Sequence, residues 1–406
     1  MTITINNKNK KPNVPNLRFP EFQGEWEKCK LSEICTFFSG GTPSSSNKDF
    51  YGGNIAFIRS GELHADSTEL FITQAGFDSS SAKMVEIGDL LLAMYGATSG
   101  DIAASKIKGA INQAILCIRT KQNKKFIESV WNKHVSKNLR KYLQGGQGNL
   151  SADIVKGISF FFPTLKEQEK IANLVSLLDE RIATQNKIID KLQTLIKGME
   201  DNLLDNPLWE KTYLRSFMQF FPTNSLSWEQ LSYKEGAIRN LHYGLIHGLQ
   251  TRGINSVSLP MIKNEAIPKQ YTLCQVGDVA FADASEDTGE IAKSVEFVDT
   301  IEGDTICGLH TIHGRDIKNR TVVGFKGFAF NSRYFHNQIK RLAQGTKVFS
   351  ITANNLSSCY VYLPDLETQK AIVNLLKTYE AKLLVSKRLL EHYEKQKQYL
   401  LRQMFI

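Results

Sequence analysis

The chain has 406 residues, with 50 Lys and Arg against 41 Asp and Glu for a formal net charge of +9. Such a length exceeds one ordinary core and calls for two or more domains, for which 42% hydrophobic residues supply the material. The basic balance favours a polyanionic partner, because each phosphate neutralised by Lys or Arg releases counterions. Cys29, Cys35, Cys117, Cys274, Cys307 and Cys359 follow no CxxC spacing, which speaks for reduced thiols and against a disulfide framework or a metal centre. No apolar run reaches membrane-span length, and the polar, basic start MTITINNKNKKPN lacks a signal-peptide core. The expected location is the cytoplasm, with a disordered tail over residues 1–15.

Residues 16–162 read as a first globular domain. Short strands at 55–59, 90–94 and 111–119 are broken by Gly, Ser and Asn, a helix is expected at 124–143, and Gly40-Gly41-Thr42-Pro43 and Tyr51-Gly52-Gly53 carry turn chemistry. Residues 163–206 read as one long helix. Pro163 stops helix upstream, Thr164 and Glu167 form a capping box, and Asn206-Pro207 closes the far end. One heptad series holds Val175, Ile182, Ile189, Ile196 and Leu203; the other holds Ile171, Leu178, Gln185, Leu192 and Met199. That spacing predicts a coiled-coil seam on a rod of about 60 Å.

A second domain follows over residues 207–362, with strands expected at 279–282 and 322–330 and a helix at 331–342. Residues 363–406 form a second seam helix. Leu376, Leu383, Leu390, Lys397 and Met404 fill one position, and Ile372, Tyr379, Ser386, Tyr393 and Leu400 the other; Lys397 and Ser386 weaken it.

The chain repeats itself. Pro163, Leu165, Gln168, Ile171, Asn173 and Leu174 reappear as Pro364, Leu366, Gln369, Ile372, Asn374 and Leu375, and IGDLLLAMYGATSGDIA at 87–103 matches VGDVAFADASEDTGEIA at 276–292. Trp26-Glu27 and Trp228-Glu229 read as the two domain starts, and Gln144-Gly145 and Gln344-Gly345 precede the two helices. A tandem duplication of about 200 residues follows. The expected fold is α+β: two similar mixed α/β domains separated and joined by two long antiparallel coiled-coil helices, a pseudo-two-fold dumbbell. A rigid spacer between basic domains suits a bipartite DNA site, whose half-sites are read together only at a fixed separation. Residues 42–59 have no evident match in 237–259, so the two halves should differ in sequence.

NVPNLRFPEFQGEWEKCKLSEI at 13–34, the FSGGTPS loop at 38–44, the paired GD…G[DE]IA segments and the paired Pro-Leu-Gln-Ile helix openings resemble the specificity subunit of type I restriction-modification enzymes over almost the whole chain. The resemblance implies two target-recognition domains that bind a bipartite asymmetric duplex. It further implies two modification subunits, which methylate adenine with S-adenosylmethionine, and two restriction subunits, which use ATP and Mg2+. It implies no catalytic centre and no cofactor in this subunit itself. SYKEGAIRNLHYGLIHG at 232–248 departs from the family by standing in the place of the GGTPS loop.

Other classes fare worse against the residues. A methyltransferase would need a Pro-Pro-aromatic tetrapeptide and a helix-opening G-x-G-x-x-G, and a motor would need G-x-x-x-x-G-K-[ST]; adjacent prolines and Gly-Lys never occur. Asp365 and Glu367 stand where a nuclease would need a lysine at Gln369, so Asp365 reads as a helix cap. Cys307, His310 and His313 suggest a metal, but three-residue spacing on a strand turns the two rings to opposite faces, and a structural role is expected. A coiled-coil scaffold that binds no DNA is the alternative.

Base and phosphate contacts are expected from Thr42, Ser44, Ser46, Lys48, Arg59, Tyr95, Thr98 and Ser99 in the first domain. In the second they are expected from Arg239, His242, Tyr243, Gln250, Arg252, Arg320 and Lys347. Lys170, Asp179, Arg181, Lys187 and Lys191 on one helix, and Lys377, Lys382, Lys387 and Arg388 on the other, are expected to face partner subunits.

Overall fold

Each repeated Gly-Asp opens a strand that is apolar without alternation. In this computed structural model, which describes residues 4–5, 13–142, 150–249, 252–254, 259–299 and 303–406, Leu90–Ala93 and Val279–Ala282 are buried at every position. The reason is a core on each face. Leu90 and Leu92 join the cluster that holds the long helices, whereas Leu91 and Ala93 join a second cluster under the neighbouring sheet. Val279 and Phe281, then Ala280 and Ala282, divide in the same way. A strand covered on both faces loses its period of two.

The chain divides into two units, Met1–Asn186 with Leu389–Ile406, and Lys187–Arg388. In the first, one sheet runs Cys35–Ser39, Ile115–Thr120, Leu90–Ala93, Ile102–Ala104, all antiparallel. The other runs Phe71–Ile72, Tyr51–Ile58, Gly109–Ile111, Lys83–Val85, with Tyr51–Ile58 and Gly109–Ile111 parallel. The second unit repeats the central strands of both, with different strands at the edges. Met218–Phe221, Thr311–Asp316, Val279–Ala282 and Ser294–Phe297 form one sheet, extended by Gly253–Ile254. Leu231–Ser232, Met261–Ile262, Arg239–Leu241 and Thr305–Cys307 form the other, its last pair again parallel.

Two sequence expectations are corrected here. Residues 322–330 are not a strand: Gly324, at φ +96°, turns the chain into the buried helix Phe325–Ala329. A short apolar run suits a buried helix as well as a strand. The second domain does not begin at Trp228. Glu27–Lys30 pairs with Ser159–Phe162, and its counterpart Glu210–Tyr213 pairs with Tyr360–Leu363, so Trp209-Glu210 is the partner of Trp26-Glu27.

The long helices span Leu165–Leu204 and Leu366–Met404. In the first unit Ile171, Val175 and Leu178 pack in one core with Leu400, Met404 and Phe405. In the second, Leu204, Leu203 and Met199 pack with Ile372, Val373 and Leu376. Within each unit the two segments therefore run antiparallel. The seam positions are the covered ones: Ile189 and Ile196 are buried, and Ile182, Leu192, Tyr379, Leu383, Leu390 and Tyr393 are half-buried. Lys397 does not weaken the seam. Its Nζ lies 2.6 Å from Asp179 Oδ1, and Lys125 Nζ lies 2.8 Å from Oδ2. Burial works against the Asp179 charge, but the two lysines hold its carboxyl below the ordinary range. Asp179 thus joins the helices rather than facing outward; Arg181, Lys187, Lys191, Lys377, Lys382 and Arg388 are exposed.

A buried glutamine fixes each helix to its sheet. Gln369 donates to Pro364 O and Arg320 O at 3.0 Å each and accepts from Val322 N at 3.0 Å. Gln168 does likewise with Pro163 O, Gln122 Oε1 and Asn123 N. Gln369→Leu strands a backbone N–H and two acceptors. It should lower unfolding free energy by ~1–3 kcal/mol, read by chemical denaturation; an unchanged midpoint would show the amide to be dispensable.

Candidate nucleic-acid interface

The registers bring several strand ends to one edge of each unit. In the first, Gly41 N donates to Ile111 O, Asn112 N to Ile58 O, and Met94 N to Ala114 O. The ends of Cys35–Ser39, Tyr51–Ile58, Leu90–Ala93 and Gly109–Ile111 therefore meet the start of Ile115–Thr120. Gly40 makes this possible, because a Cβ there would stand 1.7 Å from Ile111 O. Thr42 Oγ1 donates to Gln113 Oε1 at 2.5 Å, Ser44 and Ser46 hydroxyls lie 2.7 Å apart, and Tyr51 OH holds Pro43 O at 2.7 Å. Thr42, Ser44, Ser46, Arg59 and Tyr95 are exposed on this edge, with Thr98 and Ser99 half-buried beside them. Lys48 is exposed on the turn Lys48–Phe50.

Arg59 is half engaged already. Its Nη2 lies 2.9 Å from Glu62 Oε1 and its Nε 3.3 Å from Oε2, while half of the side chain stays open to solvent. The hydrogen bond and charge of Glu62 raise the Arg59 pKa, and Arg59 lowers that of Glu62. Beyond them His64 Nε2 lies 2.9 Å from Asp101 Oδ2, joining the turn after Tyr51–Ile58 to the turn before Ile102–Ala104. Neither His64, Asp101 nor Gln113 was singled out in the sequence, because nothing in it reveals which turns meet.

The second unit builds the same edge from other side chains. Gly308 N donates to Leu241 O where Asn112 N donates to Ile58 O, so His242 is the counterpart of Arg59 and His247 of His64. His247 Nδ1 lies 3.4 Å from Glu290 Oε2, and Glu290 follows Gly289 as Asp101 follows Gly100. The place of the GGTPS loop is taken by Pro222-Thr223-Asn224, after Met218–Phe221, rather than by 232–248, which correspond instead to the Tyr51–Ile58 region. Thr223 Oγ1 donates to Thr311 O and Asn224 Nδ2 to Asn240 Oδ1. Trp228, Tyr243 and His310 present aromatic rings here, and His310 pairs with Asp283 at 3.0 Å. Lys347 is exposed on the loop that Phe349–Ser350 anchors to Ala284–Ser285.

Four expectations in this unit need correcting. His242 is only 2% exposed; its ring lies between Trp228 and Tyr243, and its Nδ1 accepts from Gly244 N as the cap of Tyr243–Gly248. Arg239 begins its strand, at the end away from this edge, and donates to Leu259 O. Arg320 lies beside the second helix start and pairs with Glu210 at 2.6 Å. Arg252 is clamped by Glu200 at 2.7 Å and Glu380 at 2.9 Å. Gln250 lies outside the described residues.

Known proteins carry the same architecture. The chain matches the family described as type I restriction modification DNA specificity domain over residues 23–194 and 310–394. It is 24% identical over 404 residues to the type I restriction enzyme MjaVIII specificity subunit of Methanocaldococcus jannaschii, covering 94% of this chain and 91% of the relative. It is 27% identical over 198 residues to the EcoR124I/EcoR124II specificity subunit of Escherichia coli, covering 46% and 45%. Its fold resembles the S subunit of the type I restriction-modification system of M. genitalium, with a TM-score of 0.61 and 14% identity over 97% of this chain and 99% of that one.

The Arg252 clamp sets a pH dependence. Two carboxylates share one guanidinium, and burial, with Glu380 and Asp201 nearby, pushes the Glu200 carboxyl up to about 7. A carboxyl raised in the folded state stabilises it below the unfolded value and loses that contribution as pH rises through about 7. Glu200→Gln, which stays neutral, should flatten the fall in stability between acid and mildly alkaline pH, measured as thermal midpoints across the range. Parallel profiles for both proteins would show that Glu200 is not the group that titrates there.

Proposed function

The chain belongs to the type I restriction modification DNA specificity family, which matches more than half of its residues, and from that premise we propose that each unit reads one half of a bipartite, asymmetric DNA site. It is a non-catalytic DNA-recognition subunit; the assembled complex carries the enzymatic activities. One observation supports the asymmetric bipartite reading: the same edge is built twice on matching central strands, with Arg59, Thr42 and Tyr95 on one and Tyr243, Thr223 and Lys347 on the other. Equal frames with unequal side chains suit two half-sites of different sequence.

Phosphates would be held by lysines and by backbone amides of the loops, and bases distinguished in the major groove by Arg59, Gln113, Asn224 and the hydroxyl groups. The paired helices would set the gap, and their exposed Lys and Arg faces would each dock one modification subunit. Two restriction subunits would join through these. S-adenosylmethionine, ATP and Mg2+ would be used by those partners. No helix among the described residues is long and apolar enough to cross a membrane, and a chromosomal duplex would be met in the cytoplasm.

Co-expression with the cell's modification subunit, followed by single-molecule sequencing of genomic DNA for methyladenine, should reveal one bipartite motif that disappears when this gene is deleted. A stable complex without a motif would contradict active recognition, and no complex at all would favour the coiled-coil scaffold. Arg59→Ala should cost ~1–3 kcal/mol of binding and relax one position of one half-site, if the guanidinium exchanges Glu62 for a guanine. Unchanged affinity and preference would remove Arg59 from the reading set. A four-residue insertion between Ile182 and Ile196 should change the tolerated gap and leave both half-sequences alone; an unaltered gap would count against the helices as its ruler.

A further inference from the structure

Cys274, Cys307 and His313 meet inside the second unit, all buried, with their ligand atoms within 4.8 Å of one another. Cys307 ends a strand of the four-stranded sheet and His313 lies in the five-stranded one, so the cluster joins the two sheets. Cys274 Sγ stands 3.6 Å from Cys307 Sγ. Two thiolates on a tetrahedral zinc ion, with Zn–S bonds of about 2.3 Å, stand about 3.8 Å apart.

The surroundings suit a metal ligand set. Asp278 Oδ2 holds His313 Nε2 at 2.7 Å and is itself fixed by Arg315 and by Gln275 N. A carboxylate behind one ring nitrogen orients a ligating histidine and leaves the other nitrogen for the ion. Thr305 shares a strand face with Cys307, and its hydroxyl is buried without a hydrogen-bond partner. His310, the other histidine of the segment, is outside the cluster: it is exposed, with φ +53°, and pairs with Asp283.

The fold does not demand these residues. Cys274 N donates to Thr305 O where the first unit sets Val85 opposite Gly109, which makes Val85 the counterpart of Cys274 and Ile111 that of Cys307. His313 lies opposite Ala280 as Cys117 lies opposite Leu91. The first unit thus fills the same place with Val85, Ile111 and Cys117.

We propose that Cys274, Cys307 and His313 bind a soft divalent cation, Zn2+, which staples the two sheets of the second unit. As two Zn–S bonds form, both thiol protons leave to solvent. The ion and two thiolates then sum to zero charge, which makes their burial in an apolar cluster tolerable.

Full-length protein purified reduced from zinc-supplemented cells should carry about one zinc per chain by elemental mass spectrometry. After chelation, Co2+ should produce a thiolate-to-cobalt charge-transfer band. Cys274→Val with Cys307→Ile, which installs the first unit's residues, should retain the circular dichroism spectrum and lose both signals. His313→Asn, which keeps both thiols, should weaken Zn2+ binding at least ~tenfold and tests the site even if the double variant fails to fold. A folded wild-type chain that binds neither ion overturns the proposal, as does a cobalt band that survives in the folded double variant. Unchanged Zn2+ affinity in His313→Asn, or a Cys274–Cys307 disulfide in the freshly purified chain, overturns it too.

Discussion

The buried amide at each helix start is the constraint from which the rest of the molecule follows. A helix leaving a sheet after proline has free backbone groups on both sides of the junction, and a buried, unpaired one costs about as much as a lost hydrogen bond. Gln168 and Gln369 each satisfy a carbonyl of the preceding Pro and an amide of a distant connection with one side chain. A primary amide offers two donors and a separate acceptor on one planar head, which matches the two carbonyl-side contacts and the one backbone N–H met here. Leu in its place would fill the volume and orphan the junction. The helix is thereby tied to the sheet in one direction, and the heptad positions that follow meet their partners on a predetermined face.

Duplication then separates what the fold needs from what recognition uses. Asp89 with Arg119 and Asp278 with Arg315 recur because each closes the turn before its doubly covered strand, where Gly88 and Gly277 adopt φ of +84° and +88°. At the other end of those strands the backbone hydrogen bonds recur while the side chains do not. Arg59 is exposed and His242 buried at one topological position, and Pro222-Thr223-Asn224 stands where a glycine pair stood. Constant backbone with changing side chains is what a reader of two different sequences requires.

How much of this the sequence disclosed depends on the range of the signal. Heptads, flanking prolines, the Asp365 cap and the repeated Gly-Asp are local, and they placed both helices within a few residues of Leu165–Leu204 and Leu366–Met404, although Glu167 binds Arg18 instead of closing a capping box with Thr164. In the first domain the candidate residues share one glycine-rich stretch with its edge, so proximity in sequence stood in for proximity in space. In the second domain it failed. Arg239 and Leu241 belong to one short strand, yet opposite ends of it face different surroundings, and which end faces the edge is settled only by pairing with Thr305–Cys307. Arg252 looked like a free loop cation because Glu200 and Glu380 are distant in sequence. The His64–Asp101 pair and the Cys274–Cys307–His313 cluster are non-local in the same sense.

The polar seam residues carry the last step. An antiparallel pair of purely aliphatic helices can slip by a heptad and lose little, because each layer resembles the next. Asp179 removes that freedom in the first unit. It is partly buried between Lys125 of the sheet-packed helix Lys124–Tyr142 and Lys397 of the second long helix. A slip of one heptad would carry Lys397 away and leave the carboxylate covered with half its counter-charge, a cost beyond what aliphatic repacking returns. Lys397, which weakens the heptad pattern when it is read for stability alone, is better understood as a residue that forbids alternatives to it. A helix pair meant to hold a spacing needs one register more than it needs the deepest hydrophobic seam.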